Sequence, residues 1–137
     1  MNRTQLQHLA EERASDAESL LNAGRWSGAY YLAGYAIECA LKACIARLTN
    51  QHDFPNKALA IQCYTHKIET LVEVAGLKLR RDTDAAASPA LGSHWLVVKD
   101  WDETARYQSW TELQARKMFL AVTDATNGVL PWIRGHW

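Results

Sequence analysis

The sequence lacks long hydrophobic runs, and it carries no excess charge of either sign. No stretch reaches the about 20 consecutive apolar residues that a membrane-spanning helix needs, so we expect no membrane association. The 15 basic and 15 acidic side chains cancel to a formal net charge of +0. This balance excludes a protein that binds nucleic acid mainly through its overall charge. A local basic patch is still compatible with a net charge of zero.

Cysteine is also scarce. The three cysteines, Cys39, Cys44 and Cys63, do not follow the spacing of zinc ligands. No cluster of His, Asp or Glu recurs at ligand spacing either, so we expect no metal and no cofactor. Cys39 and Cys44 lie in an apolar helical run, which is typical of cysteine in a core. The odd count, and the lack of an apolar segment after Met1, favour a reducing, cytoplasmic location.

Hydrophobic side chains recur at intervals of three and four residues along most of the chain. This spacing predicts an all-α fold, and the 137 residues suit a single domain over 1–137. Amphipathic helices joined by short links pack as a bundle. We therefore predict an antiparallel bundle of four to five helices. The predicted helices cover residues 4–22, 25–48, 64–75 and 111–134, with a short one at 56–61 after a linker at 50–55.

The helix predicted at 25–48 has the clearest pattern. Its apolar positions continue for six turns and are widened by alanines, so we expect it to be central and buried on more than one side. Gly28 and Gly34 disfavour an isolated helix, and their expected use is the close approach of a neighbouring backbone. The pattern comprises Trp26, Tyr30, Ala33, Ile37, Leu41, Cys44 and Leu48, with Ala29, Ala36 and Ala40 beside it.

Other segments give weaker signals. Gly24 and Gly76 can take the left-handed conformation that ends a helix. Residues 80–93 look the least ordered, and residues 94–110 favour an irregular or short helical segment. Pro131 is expected to kink or end the last helix.

Six tryptophans are a high number for this length. Trp26 belongs to the core by its position. The others either expose aromatic surface at an interface with another protein or cover the open end of the bundle. They are Trp95, Trp101, Trp110, Trp132 and Trp137.

Four segments, in order along the chain, resemble one known family. Residues 28–43, GAYYLAGYAIECALKA, resemble the signature helix of the HEPN family, the higher eukaryotes and prokaryotes nucleotide-binding domains. Residues 16–21 resemble its first helix, 66–71 its third, and 105–107 the start of its C-terminal part.

The resemblance implies a helical bundle, often a homodimer, associated with nucleotides or RNA. It also implies a toxin–antitoxin arrangement in which the partner is a minimal nucleotidyltransferase. Many members are ribonucleases, whereas others have lost the active site and act as binding or protein-interaction modules. Both classes stay open for this chain.

The ribonuclease members carry an arginine followed, four to six residues later, by a histidine on a late helix. Arginine binds the scissile phosphate and histidine exchanges protons near neutral pH. Here the spacing occurs from Arg3 to His8 and from Arg47 to His52, neither on a late helix. No histidine follows Arg106 within that distance. Whether the chain is an enzyme is therefore left open.

If the chain is an enzyme, we expect a metal-independent endoribonuclease that uses Arg106 with His66 from another helix. If the chain is a binding module and not an enzyme, we expect Arg106 to hold a phosphate and Tyr107 to stack on a base. The structural alternative is that Arg106 pairs with Glu103 or Asp102 while Tyr107 packs. For His66 the structural alternative is a helix cap or an internally bonded histidine.

A polar and aromatic stripe runs beside the apolar face of the helix at 25–48. It consists of Tyr31, Tyr35, Glu38 and Lys42, which step by four, three and four residues. With His66 and Arg106, these residues are candidates for a nucleotide or RNA site. The structural alternative is an ordinary ion pair between Glu38 and Lys42.

Overall fold

The computed structural model describes residues 1–49 and 57–137. Every regular element in these ranges is helical, which confirms the all-α prediction. The elements are α1 (Arg3–Asn22), α2 (Trp26–Arg47), α3 (Lys57–Gln62), α4 (Ile68–Val74), α5 (Lys78–Ala87), α6 (Pro89–Val98), a 3-10 helix (Glu103–Tyr107), α7 (Glu112–Thr123) and α8 (Val129–Arg134). The linker predicted at 50–55 lies outside the described residues.

The hairpin of α1 and α2 forms the centre of the fold. Asn2 caps α1 by accepting a hydrogen bond from the Gln5 backbone N–H at 2.9 Å, and Gly24 turns the chain with φ +73°. Small side chains let the two helices approach closely. Those that are fully buried between or beside them are Ala10, Ala17, Ala29, Ala33, Ala36, Ala40 and Ala43.

Helix α2 is buried on several sides, as predicted. It packs against α1, α4, α7, α8 and the 3-10 helix. Ile37 and Leu41 are fully buried at its centre, whereas Leu48, at the end of the predicted pattern, is 51% exposed. Trp26 is half-buried rather than part of the core, and the Arg116 guanidinium lies 5.3 Å from the centre of its ring.

The segment predicted to be least ordered is helical. Ser88 separates α5 from α6, and its hydroxyl accepts a hydrogen bond from the Leu91 N–H at 3.4 Å, while Pro89 occupies the first position of α6. Serine followed by proline is a helix start, so the expectation of disorder was wrong. Arg81 anchors α5 through two hydrogen bonds to Glu69, at 2.7 and 2.8 Å.

The last predicted helix is broken in two. Asp124 ends α7, and its side chain and carbonyl accept hydrogen bonds from the N–H groups of Asn127 and Gly128, both at 2.8 Å. A Cβ on Gly128 would overlap the backbone of Asp124. Pro131 does not kink a helix, because it lies in the first turn of α8, where its missing N–H needs no partner within the helix.

The tryptophans mostly cover the interior. Trp95 and Trp101 are 3% and 2% exposed, and the other four are half-buried. Of the two alternatives considered for the tryptophans, exposed aromatic surface is therefore not the one that the structure shows. Trp132 packs edge-on against Trp95, with ring centres 5.6 Å apart, and its Nε1–H donates to Asp84 at 2.9 Å.

Candidate nucleic-acid interface

The tyrosines of the predicted stripe are backed by Trp101. Tyr31 and Tyr35 stack with ring centres 6.0 Å apart, and the Trp101 ring lies 5.6 Å and 6.4 Å from them. Trp101 can lie this close to α2 because Gly34 has no side chain; a Cβ there would overlap the indole. The predicted close approach at Gly34 is thus to a side chain, not to a backbone. The three rings form a rigid aromatic layer beside α2.

Arg106 and Tyr107 lie at the end of the 3-10 helix. The Trp110 Nε1–H donates to the Ala105 carbonyl at 3.0 Å and fixes this segment. The Arg106 guanidinium is fully exposed and lies 4.8 Å from the centre of the Tyr107 ring, which is itself 77% exposed. The neighbouring side chains of Tyr107 and Tyr31 raise the pKa of Arg106 above its usual value. The cation therefore lies over the Tyr107 ring and next to Tyr31 of the aromatic layer.

The alternative in which Arg106 pairs with a neighbouring carboxylate was wrong. Among residues 1–49 and 57–137, no Asp or Glu lies within ion-pair distance of Arg106. The Asp102 carboxylate instead accepts from the Thr104 hydroxyl and N–H, at 2.5 and 2.8 Å. These bonds lower the pKa of Asp102, with a smaller contribution from the nearby Lys67 and His66.

Glu38 connects Lys42 and His66. Its Oε1 atom lies 2.9 Å from Lys42 Nζ and 2.9 Å from His66 Nδ1. The ion pair between Glu38 and Lys42, which was the structural alternative to a binding site along the stripe, is present. The contact with His66 joins two residues that are 28 positions apart and could not be inferred from helical spacing. The Glu38 side chain is only 3% exposed, whereas that of His66 is 44% exposed.

His66 and Arg106 do not share a partner. His66 contacts Glu38, whereas Arg106 lies over the Tyr107 ring and next to Tyr31. Tyr35 connects the surroundings of the two residues. Its ring stacks on Tyr31, and its pKa is raised mainly by burial, with a contribution from the charge of Glu38. The predicted site residues thus form two neighbouring groups along α2: an aromatic group with Arg106, and a charged group around Glu38.

The two other matches to the arginine–histidine spacing have structural roles or lie outside the description. Arg3 donates to the Trp137 carbonyl at 2.6 Å, and Arg47 donates to the His136 carbonyl at 3.0 Å. His8 is exposed on α1. His52 is outside the described residues. Both arginines therefore fasten the segment after α8 to the bundle.

A family model described as HEPN domain matches residues 6–119, well over half of the chain. The chain belongs to the HEPN family. Membership agrees with the all-helical bundle and supports, in general terms, a module associated with nucleotides or RNA. Neither the curated proteins nor the solved structures gave a significant match to this HEPN domain.

The described residues offer neither a membrane-spanning helix nor a cluster of metal ligands. None of the helices within 1–49 and 57–137 is long and apolar enough to cross a membrane. In the same ranges, no three His, Cys, Asp or Glu side chains are grouped so that they could hold a metal ion.

The sequence analysis did not identify Trp101 as a residue of the candidate interface. The signal that could have identified it was Gly34, which lies between Tyr31 and Tyr35 and leaves room for a ring.

Proposed function

We propose that this HEPN domain binds single-stranded RNA or a nucleotide through the surface of Tyr31, Tyr35, Arg106 and Tyr107. The observation that carries the proposal is the position of Arg106, an exposed guanidinium on an aromatic ring with no carboxylate partner in the described chain. An unpaired guanidinium can donate two parallel hydrogen bonds to a phosphate. An exposed tyrosine ring next to it offers a face on which a base can stack.

The rigid backing of this surface favours binding. Trp101 is buried, and it holds Tyr31 and Tyr35 in place before any ligand arrives. Ordering side chains on binding costs free energy, so a prearranged surface loses less of its affinity. Lys67 adds positive charge near Asp102, at the start of the 3-10 helix, and the Asp102 carboxylate limits it.

The same features favour a single strand over a duplex. Duplex recognition depends on many phosphate contacts spread along the helix. This chain has a net charge of +0 and, at the proposed surface, one exposed arginine surrounded by rings. Stacking needs unpaired bases, which only a single strand or a free nucleotide offers.

Binding of a fluorescein-labelled single-stranded RNA 12-mer, followed by fluorescence anisotropy, tests the proposal. Loss of one stacking ring costs about 1–3 kcal/mol, so we expect Tyr107→Ala to weaken binding about tenfold and Tyr107→Phe to change it less than about twofold. Tyr64→Ala is the matched control, because Tyr64 is 81% exposed and outside the proposed surface. Equal binding by wild type and Tyr107→Ala would contradict the assignment.

Endoribonuclease activity is the second candidate function. Glu38 holds Nδ1 of the half-exposed His66 and leaves Nε2 without a partner in the described residues. A carboxylate that orients an imidazole in this way is a common arrangement for general acid–base catalysis. Metal-independent cleavage of RNA in EDTA that disappears in both His66→Ala and Arg106→Ala would establish this function. Intact RNA after incubation with the wild-type protein would exclude it.

We also propose a homodimer and a partner of the minimal nucleotidyltransferase type, as the family resemblance implies. For the dimer, α7 offers an apolar face: Leu113 and Leu120, two turns apart, are 66% and 54% exposed. Light scattering after size exclusion should give twice the 15.4 kDa mass, and Leu113→Asp should return it to one copy. Co-elution with a minimal nucleotidyltransferase tests the partner, and separate elution argues against it.

A further inference from the structure

A single stripe of helix α2 connects Arg106 with His66. Arg106 lies next to Tyr31, whereas His66 Nδ1 lies 2.9 Å from the Glu38 carboxylate. Tyr31 and Glu38 lie on the same face of α2, about two turns and about 10 Å apart along its axis. Tyr35 fills this interval, and its ring stacks on that of Tyr31. The surface that carries Arg106 therefore continues along α2 as far as His66.

The segment that carries Arg106 also passes close to His66. Asp102 caps the 3-10 helix, and Arg106 lies in its last turn. Hydrogen bonds from Thr104 lower the pKa of Asp102, and the charges of Lys67 and His66 contribute to this shift. The start of α4 and the start of the 3-10 helix are therefore neighbours, and both border the stripe of α2.

The contact with Glu38 determines what the other ring nitrogen of His66 can bind. Lys42 Nζ donates to the same Glu38 oxygen at 2.9 Å, so this carboxylate accepts from both neighbours. His66 then carries a proton on Nδ1, and in the neutral imidazole Nε2 is a hydrogen-bond acceptor. This Nε2 atom is not buried, and it has no hydrogen-bond partner among residues 1–49 and 57–137. An acceptor at this position fits a ligand group that carries a donor.

We infer that Nε2 of His66 accepts a hydrogen bond from the 2′-hydroxyl of a ribose, so that the surface prefers single-stranded RNA to single-stranded DNA. The 2′-hydroxyl is the donor that RNA has and DNA lacks. The inference rests on the proposed function, because Arg106 and Tyr107 hold the strand whose next part reaches His66 along α2. Recognition of the ribose requires no cleavage, so it is independent of endoribonuclease activity.

Four fluorescein-labelled 12-mers of one base sequence test the inference by fluorescence anisotropy. They carry a 2′-hydroxyl, a 2′-hydrogen, a 2′-fluoro or a 2′-O-methyl group, and only the 2′-hydroxyl can donate to Nε2. We expect the wild type to bind the RNA about three- to tenfold more tightly than each of the other strands, which is the effect of one hydrogen bond. Gel electrophoresis of the same samples checks that the RNA stays intact.

Variants of His66 assign the preference to its side chain. In His66→Leu the affinities for RNA and DNA should become equal within about twofold, because the acceptor is lost. His66→Gln should retain part of the preference, since its amide oxygen can accept. His94→Leu is the matched control, because His94 Nδ1 also lies 2.8 Å from an oxygen, the Asn127 carbonyl, but on α6, outside the proposed surface. Circular dichroism checks that the variants are folded.

The possible results separate this inference from the proposed function. Equal affinity of the wild type for RNA and DNA, with binding still weakened by Tyr107→Ala, would overturn the inference and leave the proposed function standing. An unchanged preference for RNA in His66→Leu would do the same, because another group would then recognise the ribose. Binding of neither strand would overturn both. A preference that is lost in His66→Leu and kept in His94→Leu would support the inference.

Discussion

Trp101 lies against Gly34 so closely that a single methyl group on Gly34 would overlap the indole ring. The contact joins the segment after α6 to the middle of α2. It also fixes the ring on which Tyr31 and Tyr35 are packed. The glycine therefore matters for the proposed binding surface, although it touches no ligand there.

Gly34→Ala should destabilise the protein. The added methyl group must displace the buried Trp101 ring, and overpacking of this kind costs about 1–3 kcal/mol. Alanine is favoured over glycine within a helix by only about 1 kcal/mol, so we expect a net loss of stability. Urea unfolding measures the change. Gly28→Ala is the matched control, because its Cβ would meet only the mobile end of Leu20 at 3.1 Å. Equal stability of the two variants would show that Trp101 moves without cost.

Local patterns in the sequence were sufficient for the two longest helices, α1 and α2, but not for the break between α7 and α8. The spacing of Ala33, Ile37 and Leu41 predicts α2, and Gly24 and Gly76 end α1 and α4 with φ +73° and +71°. Short-range features were misjudged where two signals competed. Residues 80–93 were expected to be the least ordered, although Ser88 followed by Pro89 makes a helix start.

Contacts between distant residues could not be predicted in the same way. The Glu38–Lys42 pair follows from one helical turn, but the contact of Glu38 with His66 depends on how α2 and the start of α4 pack. The partners of Arg106 likewise come from tertiary structure, because Tyr31 is far away in the sequence. The spacing along the sequence alone allowed a carboxylate to pair with Arg106, but no such pair forms in the described part of the fold.

The pair of Glu69 and Arg81 should make stability depend on acid pH. The hydrogen bonds from Arg81 lower the pKa of Glu69 from its ordinary value of 4.5. A carboxyl with a lowered folded-state pKa stabilises the protein above its unfolded-state pKa, and that contribution is lost as pH falls through the folded-state value. Urea unfolding between pH 7 and pH 3 measures this loss.

Glu69→Gln provides the comparison for this pH dependence. The wild type should be more stable than the variant at pH 7, and the difference should shrink as the pH falls below about 4.5 towards the lowered pKa of Glu69 in the folded protein. Glu112→Gln, in the exposed pair with Arg116, should change stability by less than about 1 kcal/mol at any pH. A difference for Glu69→Gln that is constant with pH would contradict the role of its charge.

The three cysteines should differ in reactivity. Burial raises the pKa of Cys39 and of Cys44 to about 11, and both side chains are 3% exposed. Cys63 is half-buried, so iodoacetamide should modify it alone in the native protein. Mass spectrometry should show one adduct in buffer, three in urea, and none in buffer for Cys63→Ser. Native labelling of Cys39 would contradict the packing of α2.

The salt dependence of RNA binding tests the central claim most directly. Each phosphate contact to a single strand contributes about 0.7 to the slope of log affinity against log salt. We expect Arg106→Ala to weaken binding of the single-stranded RNA and to reduce the slope by about 0.7. Arg116→Ala is the control, because Arg116 also lies over an aromatic ring, 5.3 Å from the centre of Trp26, but pairs with Glu112. An unchanged slope for Arg106→Ala, or an equal effect of Arg116→Ala, would contradict a phosphate contact at Arg106.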